Sequence, residues 1–115
     1  MRSIPTHTPS NVVATDERDP NAGNASHTYG IQGLGPDVTK IQFQHGPRTE
    51  DDSTTGVFDD DLLAICQDRL EGFQSGPFAC KENEGALAHI KEARGALAHR
   101  VADRIARGVL GKNEQ

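Results

Sequence analysis

The sequence predicts an α+β chain: a small N-terminal β element followed by a long antiparallel helical hairpin, in an oligomer. Three observations carry this. Residues 38–44, VTKIQFQ, alternate apolar and polar side chains as a half-buried strand does. Two stretches with apolar residues three and four apart flank a break at Gly76-Pro77. The second stretch is about twice as long as the first, so part of its apolar stripe finds no cover within the chain.

Residues 1–27 are rich in Ser, Thr, Asn, Asp, Pro and Gly without a sustained period, and are expected to be a disordered N-terminal segment. A small β region is expected over residues 28–58. It opens with TYGIQGLGPD, where three glycines and a proline leave room only for a very short strand at Tyr29 to Ile31. In the strand that follows, Thr39, Ile41 and Phe43 share one face. HGP at 45–47 stops it, and Val57 and Phe58 offer a short return. A two-stranded hairpin of this kind is marginal unless it packs on something else.

The first helix is expected over residues 59–75, with an Asp among Asp59, Asp60 and Asp61 as its cap and Leu62, Leu63, Ile65, Cys66, Leu70 and Phe73 as its apolar face. Gly76 is expected to take the left-handed conformation that ends a helix, and Pro77 cannot continue one. The second helix is expected from about Phe78 or Ala79 to about Val109, with Ala86, Ile90, Ala93, Leu97, Val101 and Ile105 as its stripe. Its roughly 30 residues span about 45 Å, and the first helix covers about half of that.

Bulk composition narrows the function. The 115 residues are 34% apolar and 4% aromatic, a modest supply for one small domain. No run reaches the length of a membrane span, and no signal-peptide core opens the chain, so a soluble cytoplasmic protein is expected. The net charge of -5 is uneven. Residues 1–61 carry ten acids and four bases, whereas residues 94–112 set Arg94, Arg100, Arg104, Arg107 and Lys112 against Asp103 alone. Such a chain is a poor partner for long nucleic acid but has arginines enough for a small phosphorylated ligand.

No catalytic constellation emerges, and no cofactor fingerprint. Cys66 and Cys80 are expected to be reduced, buried, small apolar side chains. With His89 and His99 they lack the tight ligand pairs of a zinc site, so no metal is expected. Two features remain. At the corner, Phe73 and Phe78 offer flat faces, the amides opening the second helix suit a phosphate, and Asn83 presents a donor and an acceptor. At the far end, Arg100, Arg104 and Arg107 line one side of the helix. The same residues also fit a packed corner and a solvated basic helix end, and the residues alone leave both readings open. Asn83 and Arg100 lie about 25 Å apart along one helix, so they can meet only between two antiparallel copies.

The runs DDLLAICQDRLEGFQSGPFACKEN and RVADRIARGVLG resemble the helical-hairpin family of small phage proteins that act as signal sponges, the anti-Thoeris and anti-CBASS proteins. The strand IQFQHGP before the hairpin is more similar to the anti-Thoeris branch. The resemblance implies a non-catalytic homo-oligomer, a hexamer built from dimers, whose residues 59–112 bind ligand and assemble. It implies a cyclic nucleotide or glycocyclic ADP-ribose as partner, withheld from a defence effector in the infected bacterium. By position, Phe73 would stack a base, Asn83 would bond the nucleotide, Arg100 and Arg104 would hold phosphates, and Gly76, Pro77, Phe78 and Ala79 would line a second pocket. Val101, Leu110 and Lys112 depart from residues common in the family. An oligomeric helical hairpin that binds another protein is the alternative.

Overall fold

A computed structural model describes residues 1–46 and 53–106. They divide into two compact units, one up to Val57 and one from Phe58 onward. The first is a four-stranded antiparallel meander in the order β1-β2-β3-β4, with β1 Arg2–Ile4, β2 Asn11–Ala14, β3 Thr28–Gln32 and β4 Val38–Gln42. The second is the helical hairpin, α1 Asp59–Gln74 and α2 Lys81–Ala106.

The N-terminal segment is a correction. Residues 1–27 hold two of the four strands. Arg2 lies opposite Ala14 and Ile4 opposite Val12; Val12 in turn faces Ile31, and Ala14 faces Tyr29. The register places Ile4, Val12, Ala14, Tyr29, Ile31 and Ile41 on one face of the sheet. Alternation in β1 and β2 is too short to stand out among polar neighbours, and those neighbours supply turn chemistry rather than disorder. The Asp16 carboxylate accepts the backbone N–H of His27 at 2.9 Å and of Thr28 at 3.1 Å. Asp19 caps a short 3-10 turn, Pro20–Ala22, by accepting the Asn21 N–H at 2.9 Å, and Gly23 closes it with φ 74°. These carboxylates replace the apolar contacts that a longer loop would need.

The strand expected over 38–44 is β4, and its continuation is paired. Phe43 bridges in parallel to Val57 and His45 antiparallel to Thr54, two isolated bridges in place of the short return expected at Val57 and Phe58. Gly56 makes that approach possible: a Cβ there would lie 2.3 Å from the Gln42 carbonyl oxygen. Pro47, Arg48 and the acids Glu50, Asp51 and Asp52 lie outside the described residues.

In the hairpin, α1 has 16 residues and α2 has 26 described residues, about 24 and 39 Å. The inward side of α2 is Asn83, Leu87, Ile90, Arg94 and Leu97; Ile90 and Leu97 are in the expected stripe, while Leu87 and Arg94 take the places expected of Ala86 and Ala93, which are exposed. Leucine removes more apolar surface from water than alanine, so Leu87 takes the inward place. Arg94 turns inward because it has a partner. Its Nε donates to Asp60 Oδ1 at 2.7 Å, its Nη2 to Asp60 Oδ2 at 3.1 Å and its Nη1 to Gln67 Oε1 at 2.8 Å. On α1, Leu62, Leu63, Leu70 and Phe73 are half-buried as expected, but Ile65 and Cys66 are exposed.

The acidic start of α1 therefore has separate duties. Asp61 Oδ2 accepts the Phe58 N–H at 2.8 Å and caps the helix, while Asp60 holds the second helix. Beyond Arg94, α2 runs past the start of α1. Val101 and Ile105 on that overhang are 39% and 59% exposed. The expected helix end near Val109, with Gly108 and Gly111, lies outside the described residues. Among the described residues no helix is long and apolar enough to cross a membrane.

Candidate functional site

The corner between the helices is built by short-range polar contacts. Ser75 ends α1 with φ -90°, and its hydroxyl donates to the Gly72 carbonyl at 2.8 Å. Gly76 does not take the expected left-handed conformation; among the described residues only Gly23, Gly46 and Asn24 have positive φ. The cap is instead closed by the Ser75 N–H on the carbonyls of Glu71 and Gly72 and the Gly76 N–H on that of Phe73. Ala79 N–H then donates to the Gly76 carbonyl at 3.3 Å, which folds Gly76, Pro77, Phe78 and Ala79 into one turn.

Across this turn, Gln74 Oε1 accepts the Cys80 N–H at 3.0 Å, tying the last residue of α1 to the residue before α2. Cys80 is the cap of α2: its sulfur accepts the Asn83 N–H at 3.4 Å. Both cysteines are free and exposed, which corrects the expectation of burial. The expectation of open amides at this helix start also needs revision. The amides of Cys80 and Asn83 are occupied, and Glu82 and Glu84 sit in the first turn, where their carboxylates already take up the positive end of the dipole. A phosphate here needs cations more than it needs the helix start.

The aromatic pair is present. The rings of Phe73 and Phe78 meet edge to face, 6.3 Å apart at 73°. Phe73 is half-buried, but Phe78 is 71% exposed, so it does not simply pack the corner of its own chain. Asn83 is half-buried on the inward side of α2, and its Nδ2 donates to the Phe78 carbonyl at 3.5 Å. That leaves its side-chain oxygen to accept from a ligand. Phe73, Gly76, Pro77, Phe78, Ala79 and Asn83 thus form one local cluster.

The arginines do not join them within the chain. Arg100 is 17 residues beyond Asn83 on the same unbroken helix, about 25 Å away. Arg100 is exposed; Arg104 is buried and already has an interaction partner; Arg107 lies outside the described residues. A cation not foreseen at the corner is Arg69, whose guanidinium carbon lies 5.4 Å from the centre of the Phe73 ring. Its i, i+4 spacing to Phe73 was the available signal.

The β unit carries a second polar cluster. The rings of His27 and His45 stack 4.1 Å apart at 9°, and His45 Nε2 lies 3.3 Å from Asp19 Oδ2. His27 is buried, and its Nδ1 has no hydrogen-bond partner. Burial, then the neighbouring His45, push the His27 imidazole below its usual range, although Asp16 and Asp19 oppose this. Burial raises the Asp16 carboxyl, but the N–H groups of His27 and Thr28 and the Thr28 hydroxyl outweigh it and hold the group below the usual carboxylate range. At the hairpin, the Arg94 hydrogen bonds hold the Asp60 carboxyl below that range against desolvation.

Two comparisons with known proteins bear on this geometry. The family model described as the Acb2/Tad1 hairpin domain matches residues 35–102, the last β strand and nearly all of the described hairpin. A protein of Bacillus phage SBSphiJ7 named Thoeris anti-defense 1 is 36% identical over 93 residues. That alignment takes in 81% of this chain and 65% of the length of the phage protein.

Proposed function

This chain belongs to the Acb2/Tad1 hairpin-domain family, and from that premise we propose that it is a phage anti-defence protein. It binds a cyclic nucleotide signal without altering it and so keeps the signal from the host defence. Its relative's name, Thoeris anti-defense 1, supports an anti-Thoeris role, and the resemblance to that branch implies a glycocyclic ADP-ribose as the signal, met in the cytoplasm of the infected bacterium. Cyclic di- or trinucleotides are the next class to test.

One observation carries the reading: an aromatic and amide corner and an exposed arginine stand at opposite ends of one helix. Phe78 is 71% exposed, and the side-chain oxygen of Asn83 is available. Arg100 is exposed on the overhang beside Val101 and Ile105, apolar residues that a partner helix would cover. Two α2 helices packed antiparallel would bring the Arg100 of one copy to the corner of the other, making two equivalent pockets in an isologous dimer. Three such dimers would give the hexamer. In each pocket Phe73 stacks the base, Asn83 bonds the nucleotide, and Arg100 holds phosphate with Arg104 fixed behind it. Arg107 is a further candidate for a phosphate contact. The turn at 76–79 offers its backbone and Phe78 to a second pocket.

The exposed apolar side chains Ile65, Val101 and Ile105 also favour a second reading, an oligomeric hairpin that docks on another protein. One experiment separates the two. The purified protein is incubated with a panel of cyclic nucleotides, the free ligand is measured, and the complex is heated. The sponge reading expects depletion of one ligand, a large thermal shift and recovery of that ligand intact. Release of a hydrolysed product would make the protein an enzyme, and no depletion from any member of the panel would leave the docking reading.

A further inference from the structure

Within the proposed pocket, the ring assigned to the base is not bare. The Arg69 guanidinium stands over the Phe73 ring at 5.4 Å, and Phe78 meets that ring edge-on. Arg69 is exposed, on α1 one turn before Phe73. Among the described residues no carboxylate lies within ion-pairing distance of it. Arg94 on the facing helix is different, with its charge held by Asp60. For Arg69, contact with the Phe73 ring is the one use of its charge among the described residues of the hairpin, and such an exposed contact is weak.

We propose that Arg69 is a specificity-determining residue of the ligand pocket: it occupies the face of Phe73 until a nucleobase arrives, then pairs with a phosphate of the same ligand. The inference rests on the sponge reading and extends it. A flat base and a flat guanidinium compete for one aromatic face, because both are attracted to its electron-rich surface. The base that wins displaces Arg69 by only a few ångströms, since the side chain remains anchored one helical turn away. The planar fork of donors is then next to the sugar-phosphate of the bound nucleotide, which it can hold with two parallel hydrogen bonds. No such exchange is available to a neutral aromatic ligand. Arg69 therefore selects phosphorylated nucleotides over nucleosides at a corner whose helix start already carries Glu82 and Glu84.

The test uses the full chain and its Arg69→Met and Arg69→Lys variants. Met keeps an unbranched side chain over the ring without the charge, and Lys keeps the charge without the fork. Calorimetric titrations with glycocyclic ADP-ribose are run at two salt concentrations, together with thermal melts of the unliganded proteins. The melts should differ little, because Arg69 is exposed and its contact over the Phe73 ring is kept in part by either side chain. Arg69→Met should weaken binding about tenfold and reduce its salt dependence, and Arg69→Lys should recover part of both. A Met variant with wild-type affinity and wild-type salt dependence overturns the inference while leaving the sponge reading intact. Equal loss in the Met and Lys variants with lowered melting temperatures overturns it as well, by showing a structural role. A wild-type protein that does not bind this probe or a cyclic dinucleotide overturns the sponge reading and this inference together.

Discussion

The two units solve the problem of a thin core differently. The β unit closes on itself with polar groups: Asp16 gathers backbone amides, Asp19 caps a turn and meets His45, and His45 stacks on His27. The hairpin has an internal clasp, Arg94 with Asp60 and Gln67, and leaves Ile65, Phe78, Val101 and Ile105 in water. Among the described residues, no large side chain of either unit is fully buried. The β unit also leaves Met1, Leu34 and Val38 in water, so exposed apolar surface alone does not separate the two. The difference lies in how each is closed, and the proposed function assigns ligand binding and assembly to the hairpin.

The sharpest way to break the contrast is to charge the overhang. If the chain assembles as proposed, Val101→Asp combined with Ile105→Asp should convert the assembly to a monomer, seen as a drop in mass by light scattering. Helical circular dichroism should be largely retained, because both residues are exposed within one chain. In the β unit, Gly56→Ala should destabilise by about 1–3 kcal/mol. The new Cβ would meet the backbone of Gln42 and Phe43, which cannot swing aside as a side chain can. Denaturant melts would read this loss, and the oligomer mass should not change.

A gentler test uses pH. The folded-state values of His27 and Asp16 are both depressed, so their contributions are present above the ordinary unfolded values and are lost as pH falls. Between about pH 7.5 and about pH 5, protonating His27 would charge a buried ring stacked on another imidazole. Amide exchange in β2 and β3, corrected for intrinsic rates, should therefore speed up relative to α1 and α2. His27→Phe, which keeps a flat ring, should remove most of that dependence. The smallest effect is expected at the clasp. Arg94→Ala should lower the melting temperature modestly, and high salt should narrow the difference from wild type, because Arg94 and Asp60 are both partly exposed.

The hairpin was legible in the sequence because its signals are long. Apolar spacing of three and four, an acidic helix start and a Gly-Pro break each extend over a turn or more, and all pointed the same way. On α2, Ile90 and Leu97 were legible, but Arg94 was not, because its partner, Asp60, lies 34 residues away in sequence. The β unit was half missed because three-residue and four-residue strands carry little periodicity, and because Asp, Asn, Pro and Gly serve turns and disorder alike. At the corner, Phe73, Phe78 and Asn83 were legible as types, but their contacts were not. The Ser75 and Gly76 N–H groups close α1 without the left-handed turn expected of Gly76, and Gln74 and the Cys80 sulfur occupy amides that were expected to be open.

The central claim is that each pocket is shared between copies, and mixed oligomers test it most directly. Phe73→Ala damages only the corner, and Arg100→Ala only the cationic end, so neither variant alone should bind glycocyclic ADP-ribose. When the two are unfolded together and refolded as a mixture, every mixed dimer has one pocket made from the intact corner of one copy and the intact arginine of the other. The account predicts that binding returns in the mixture at wild-type affinity, with reduced capacity. Mixed oligomers that form and bind nothing would contradict it, as would an Arg100→Ala protein that binds as well as wild type.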